Sequence, residues 1–208
     1  MKYLKLGLTI VLTASVLVLG AAACSSGAPS TQQWDSPPAM QIDTSKSYYA
    51  VFDTSMGSFK IELFADESPQ TVNNFVFLTE QGFYNNTTFH RIIQTFMIQG
   101  GDPTGTGTGN PGYTIPDELP IKHPYAAGIV AMANTGRANS GGSQFFICTG
   151  DDAANLNKTP IYTEFGQVVE GMDVVEKIAA VPTKLGSDGN NSKPIDPPVI
   201  KKITIVES

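Results

Sequence analysis

From Tyr48 onward, short apolar runs alternate with clusters of turn-forming residues, and the period of each run indicates its structure. Phe59, Ile61 and Leu63 alternate with Lys60 and Glu62, the two-residue period of a strand with one buried face. Residues 48–53 form a β-rich run before it, and 54–57 between the two have hairpin composition. Ser68 followed by Pro69 reads as an N-cap with proline at the first helical position. Val72, Phe75, Val76 and Thr79 then recur at helical spacing until Gly82. Further strands are predicted over 88–93, 96–99, 129–133, 144–148, 165–169 and 200–206, and a second helix over 172–180 carries Val174, Val175 and Ile178 on one side. Many short strands with only two helices predict a mainly β fold, closed into an antiparallel barrel that leaves no exposed edge.

The same period says which side chains share a surface. Met97 and Gln99 point one way and Phe96 and Ile98 the other, unless a bulge near 94–96 brings Phe96 round. Gln144 and Phe146 likewise share a face opposite Phe145 and Ile147, so one face of each strand can fill the core while the other builds a groove. The stretch FHRIIQTFMIQGGD, residues 89–102, puts Arg91 among aromatic and apolar residues with no acidic residue before its final Asp102. A cation in that setting suits an apolar ligand that carries a carbonyl oxygen.

The N-terminus adds an address. Lys2 and Lys5 precede an uncharged apolar run, and Ala21, Ala22 and Ala23 lead from it into Cys24, the pattern of an export signal over residues 1–23. Small residues before a cysteine resemble a bacterial lipobox, which makes Cys24 the expected lipidation site and a membrane anchor, although Ala21 stands where leucine is common. Ala-Ala-Ala also fits an ordinary cleavage site, whose use would release a soluble secreted protein. Residues 24–46 are rich in Ser, Pro, Gln and Gly and read as a flexible linker to a domain over 47–208. Of 13 basic residues two lie in the leader, leaving 11 against 19 acidic ones, a balance that argues against a nucleic-acid surface.

Several weaker signals are set aside on chemical grounds. The run GGDPTGTGTGNPG, 100–112, lacks the Lys-Ser/Thr ending of a phosphate loop and reads as a flexible loop. Ser143 lacks the elbow of a serine hydrolase. His90 and His123 are isolated imidazoles that make no zinc site by themselves, so no metal is expected. Cys148 ends an apolar strand and reads as an inert buried thiol. The Pro/Gly/Asn-rich residues 181–198 read as a loop without assignable chemistry.

Residues 132–147, MANTGRANSGGSQFFI, complete a pattern with 89–102. In order and spacing the two segments closely resemble the cyclophilin family of peptidyl-prolyl cis/trans isomerases, and the resemblance runs over 48–206. It implies an eight-stranded barrel with a helix over each open end, rotation about X-Pro bonds without any cofactor, and Arg91 as the catalytic residue. It implies that Phe96, Met97, Phe146 and Leu156 wall a proline pocket. Gln99 and Gln144 would bond the substrate backbone and brace Arg91, while Asn134 and the Ala133 backbone would grip the residue before proline. Two departures stand at the groove's far edge: Asn155 replaces the family's tryptophan, and Tyr162 its histidine, which puts tight cyclosporin binding in doubt. The expected partners are proline-containing peptides and unfolded exported proteins, met by a monomer held at the membrane outside the cytoplasm; the competing reading is a catalytically weak adaptor for proline-containing loops.

Overall fold

The computed structural model describes residues 32–208, so the expected signal segment and Cys24 lie outside the described residues. In chain order the elements are β1 (Tyr48–Thr54), β2 (Gly57–Leu63), α1 (Pro69–Glu80), β3 (Thr87–Thr88), β4 (Arg91–Ile93), β5 (Met97–Gly100), β6 (Ile129–Met132) and β7 (Phe145–Cys148). A 3-10 helix (Asp151–Lys158), β8 (Glu164–Glu170), α2 (Met172–Ala179), β9 (Thr183–Leu185), β10 (Asn191–Pro194) and β11 (Val199–Glu207) follow. No helix among these residues is long and apolar enough to cross a membrane.

The expected closed, eight-stranded barrel is corrected to an open, curled sheet of nine strands in the order β3-β11-β1-β2-β8-β6-β7-β5-β4. The two end strands do not pair with each other. Phe89 N–H donates to Pro198 O at 2.9 Å and His90 N–H donates to Gln99 O at 3.0 Å, so the predicted strand 88–93 changes partner from β11 to β5 in mid-course and splits in two. Two further corrections follow. Residues 151–158 form a third helix, and residues 181–198 contain the separate antiparallel hairpin β9-β10.

Strand register fixes the core. Ile92 lies opposite Ile98, Ile98 opposite Ile147, and Ile147 opposite Val130, an inward row across four strands whose members are 0–1% exposed. Helix α1 buries Val72, Phe75, Val76 and Leu78 against this interior. The Phe75 ring sits 5.1 Å from Tyr84, 5.3 Å from Phe165 and 5.7 Å from Phe145, at the centre of an aromatic cluster. Each such buried ring contributes about 1.5–3 kcal/mol of hydrophobic stabilisation. Helix α2 buries Val174, Val175 and Ile178 as its spacing predicts.

Ser68 occupies the N-cap of α1, but its hydroxyl donates to Glu164 O at 2.6 Å instead of accepting from the helix. The helix start is satisfied from a distance: the Glu118 carboxylate accepts Gln70 N–H at 3.0 Å and Thr71 N–H at 2.9 Å, a placement that the helix dipole favours. Gly82, at φ 71°, takes the left-handed turn that ends α1.

The later part of the expected flexible linker lies against the domain. Trp34 packs its ring 5.3 Å from Phe77 and 5.9 Å from Phe83, and its backbone N–H donates to Pro111 O at 2.9 Å. Asn73 accepts Gln41 N–H at 2.7 Å and donates to Ala39 O at 3.0 Å. Gly112 permits this approach, because a Cβ there would lie 2.5 Å from Trp34 O.

Candidate active site

The outward row of the same strands builds a groove. Arg91 lies opposite Gln99, Gln99 opposite Phe146, and Phe146 opposite Ala131. Directly paired residues project to one side of a sheet, so a cation, an amide and an aromatic ring from three different strands meet on one surface. The neighbouring row sets Ile93 opposite Met97 and Met97 opposite Cys148. Met97, Tyr125, Ala131, Phe146 and Cys148 form an apolar cluster separate from the main core, and Phe96, Leu156 and Tyr162 pack against it half-buried. Phe96 reaches this side because Gln94 and Thr95 turn the chain, with Phe96 N–H donating to Ile93 O at 2.9 Å. Tyr162 meets the Phe146 ring edge-on at 5.3 Å. Asn155, on the 3-10 helix, is exposed and accepts from Lys158 Nζ at 2.9 Å.

Arg91 is held by a residue that the sequence reading passed over. Its Nε donates to Asp188 Oδ2 at 2.7 Å, and its Nη1 lies 3.6 Å from Met97 Sδ, which puts the guanidinium against the apolar wall. Asp188 sits in the turn of the β9-β10 hairpin, where its other oxygen accepts Ser192 Oγ at 2.7 Å and Asn190 N–H at 3.1 Å. Partial burial pushes this carboxyl up, but the hydrogen bonds from Ser192, Arg91 and Asn190 and the Arg91 charge outweigh it and hold the group well below the ordinary carboxylate range. The expectation that Gln99 and Gln144 brace Arg91 is therefore corrected. Gln99 Nε2 donates to Gln144 Oε1 at 2.9 Å, and Gln144 Nε2 donates to Gly109 O at 2.9 Å and Gly107 O at 3.1 Å.

The glycine-rich loop is pinned by Asp102, which the expectation of a flexible loop missed. This fully buried carboxylate accepts the N–H groups of Thr104 (2.7 Å), Thr106 (3.1 Å), Gly107 (2.6 Å) and Gly109 (3.1 Å), and the Thr104 hydroxyl at 2.8 Å. Burial raises its pKa, and those hydrogen bonds more than reverse the effect and lower it. The loop, Gln99, Gln144, Ala133 and Asn134 enclose a cavity of about 490 Å³. Asn134 Nδ2 donates to Ile161 O at 2.8 Å, its Oδ1 accepts Gly136 N–H at 2.9 Å, and Ala133 N–H donates to Gln144 O at 2.8 Å. A second cavity of about 430 Å³ lies between Arg91, Gln99 and Asp188. Cys148 is fully buried and burial pushes its thiol up to about 12, the inert state that its sequence context suggests.

Arg91, Gln99 and Phe146 thus share one cross-strand row with Met97 in the next, Phe96, Leu156 and Tyr162 pack against Met97 and Phe146, and Gln99, Gln144, Ala133 and Asn134 line one cavity. The Arg91 guanidinium stands against the apolar cluster of Met97 and Phe146, and the paired Gln99 and Gln144 amides lie beside it, an arrangement suited to holding a peptide without covalent chemistry. Residues 49–205 match the family described as cyclophilin type peptidyl-prolyl cis-trans isomerase. The chain is 43% identical over 166 residues to peptidyl-prolyl cis-trans isomerase-like 1 of Emericella nidulans, which spans 76% of this chain and 94% of that protein. It is 46% identical over 131 residues to a peptidyl-prolyl cis-trans isomerase of Synechococcus elongatus, covering 62% of this chain and 87% of the relative. A cyclophilin-type isomerase of Cryptosporidium parvum, crystallised in the presence of the dipeptide Ala-Pro, superposes with a TM-score of 0.68 at 34% identity, covering 77% of this chain and 99% of that one. The chain belongs to the cyclophilin-type peptidyl-prolyl cis-trans isomerase family, and its enzyme class is that of an isomerase.

The Arg91–Asp188 pair predicts a titration. In an NMR titration the Asp188 carboxyl is expected to have its midpoint well below the ordinary aspartate value of about 3.9, and Arg91→Ala is expected to move it upward. Because the folded-state pKa is depressed, the pair's stabilisation is present above the unfolded value and is lost as pH falls through the folded one. A midpoint at the ordinary value in the wild type would show that the pair does not form.

Proposed function

We propose that Arg91 is the catalytic residue of a prolyl isomerase that acts on exported proteins, with the groove as its substrate site and Cys24 as its lipid anchor outside the cytoplasm. Rotation about X-Pro is opposed by a resonance barrier of about 18–20 kcal/mol, and no bond is made or broken. The site has only to bind the twisted amide better than either planar form. Met97, Phe146, Phe96 and Leu156 receive the pyrrolidine ring, with Tyr162 at the far edge. Gln99, Gln144, Asn134 and the Ala133 backbone align the peptide beside it.

Arg91 then meets the twisted state. As conjugation is lost, the prolyl nitrogen pyramidalises and its lone pair becomes an acceptor, while the carbonyl regains double-bond character. A guanidinium fixed through Nε by Asp188 still presents its Nη edge to these atoms without reorganisation. Lowering the barrier by ~5 kcal/mol would speed rotation several-thousand-fold. The observation that carries the reading is the shared surface of Arg91, Met97 and Phe146, with the guanidinium 3.6 Å from the Met97 sulfur.

The cellular role rests on the N-terminal sequence. A charged start, an apolar run and small residues before Cys24 support export and lipidation, and slow proline steps can limit the folding of exported chains. The same reading takes the protein as a monomer.

Exchange spectroscopy on an Ala-Pro or Gly-Pro peptide tests the catalytic assignment. Arg91→Ala is expected to lower the catalysed exchange rate by about two orders of magnitude while the protein remains folded; a variant with undiminished exchange would remove Arg91 from the mechanism. Mass spectrometry of the mature protein is expected to find a diacylglyceryl-modified Cys24 at the N-terminus. An unmodified Cys24 terminus would replace the anchored form with a secreted soluble one.

A further inference from the structure

We infer that Glu67, His123 and Glu164 form a binding site for one divalent transition-metal ion of the zinc type, apart from the isomerase groove. Neither histidine had a metal-ligating neighbour in sequence, but folding brings to His123 a glutamate just before α1 and another at the start of β8. One ligand atom from each of the three lies within 4.8 Å of the other two. His123 Nε2 is 3.2 Å from Glu67 Oε2. That separation is close to the edge of a tetrahedron built on zinc–ligand bonds, about 3.3 Å.

The second observation is the state of Glu164. Its side chain is buried, with the residue 2% exposed, and its two oxygens are treated differently. Oε1 accepts the backbone N–H groups of Lys122 and His123, the latter at 2.7 Å. Oε2 has no hydrogen-bond partner among the described residues; Glu67 Oε2 accepts no hydrogen bond either, and its close neighbour is the His123 Nε2 at 3.2 Å. Leaving a buried carboxylate oxygen unpaired is costly, and bringing a second carboxylate beside it adds repulsion. A dication between them answers both.

The surroundings suit an ion of this class. The Phe64 ring lies 4.7 Å from the His123 imidazole and sets its orientation. Lys122 Nζ, the competing cation, stands 3.9 Å from the other oxygen of Glu67 with a side chain 56% exposed, which leaves Oε2 to the ion. An imidazole with two carboxylates matches zinc and its neighbours, whereas calcium and magnesium favour sets of six or more oxygens. A cavity of about 580 Å³ lined by Glu67 and His123 gives entry and space for a fourth, solvent ligand.

The test titrates the metal-free full chain with Zn²⁺ by calorimetry and with Co²⁺ by visible absorption. The wild type is expected to lose at least tenfold in affinity on His123→Ala or Glu67→Gln, together with the visible bands of the bound cobalt. Glu164→Gln is expected to do the same. If that buried change prevents folding, His123→Ala decides the question, because its ring is 41% exposed and peptide isomerisation reports that the variant is folded. Absence of uptake by the wild type, or equal uptake by His123→Ala, which retains Cys24 and every other thiol and imidazole, would overturn the site.

Discussion

The pairing register of β4, β5, β7 and β6 is the constraint on which the rest depends. Ile92, Ile98, Ile147 and Val130 can fill the interior only if Arg91, Gln99, Phe146 and Ala131 face outward. A slip of one residue would exchange the two rows, burying a guanidinium and exposing three isoleucines. Core stability and groove composition are therefore two consequences of one alignment. The apolar driving force that sets the inner row also positions the outer one.

Register places the groove residues, and three carboxylates, from the fully buried Asp102 to the exposed Asp188, then hold what surrounds them. Asp102 gathers four backbone N–H groups of the glycine-rich loop and so fixes one wall. Asp188 ties Arg91 to a hairpin that belongs to a different sheet. Glu118 satisfies the start of α1 from a distant segment. Each of these bonds joins segments that hydrophobic burial alone would leave loosely related. They spend little of the folding energy and remove much of the freedom of the site, the condition for electrostatic stabilisation without reorganisation.

Strand positions and groove faces were legible because a two-residue period is a local signal: Met97 with Gln99, and Gln144 with Phe146, could be assigned to shared faces from spacing alone. Phe96 shows the limit of that rule, since a turn at Gln94 and Thr95 rotates it into the groove against its parity. The split of 88–93 was hidden because both halves are β-like and only the identity of the partner strand changes. Asp188 was hidden for a different reason: it is 97 residues from Arg91 in sequence. The Asp-Gly pair at 188–189 did carry a hairpin signal, as the Thr-Gly repeat after Asp102 carried a turn signal, and both could have been read. Nothing local could bring Glu67 and Glu164 to His123.

Chemical-shift mapping with an Ala-Pro peptide tests most directly the claim that the outward row is the working surface. The account predicts perturbations and exchange broadening concentrated at Arg91, Gln99, Asn134, Phe146 and Leu156, with the inward row of Ile92, Ile98 and Ile147 little affected. Perturbations centred elsewhere, or an undisturbed Arg91 in a peptide-saturated protein, would contradict it.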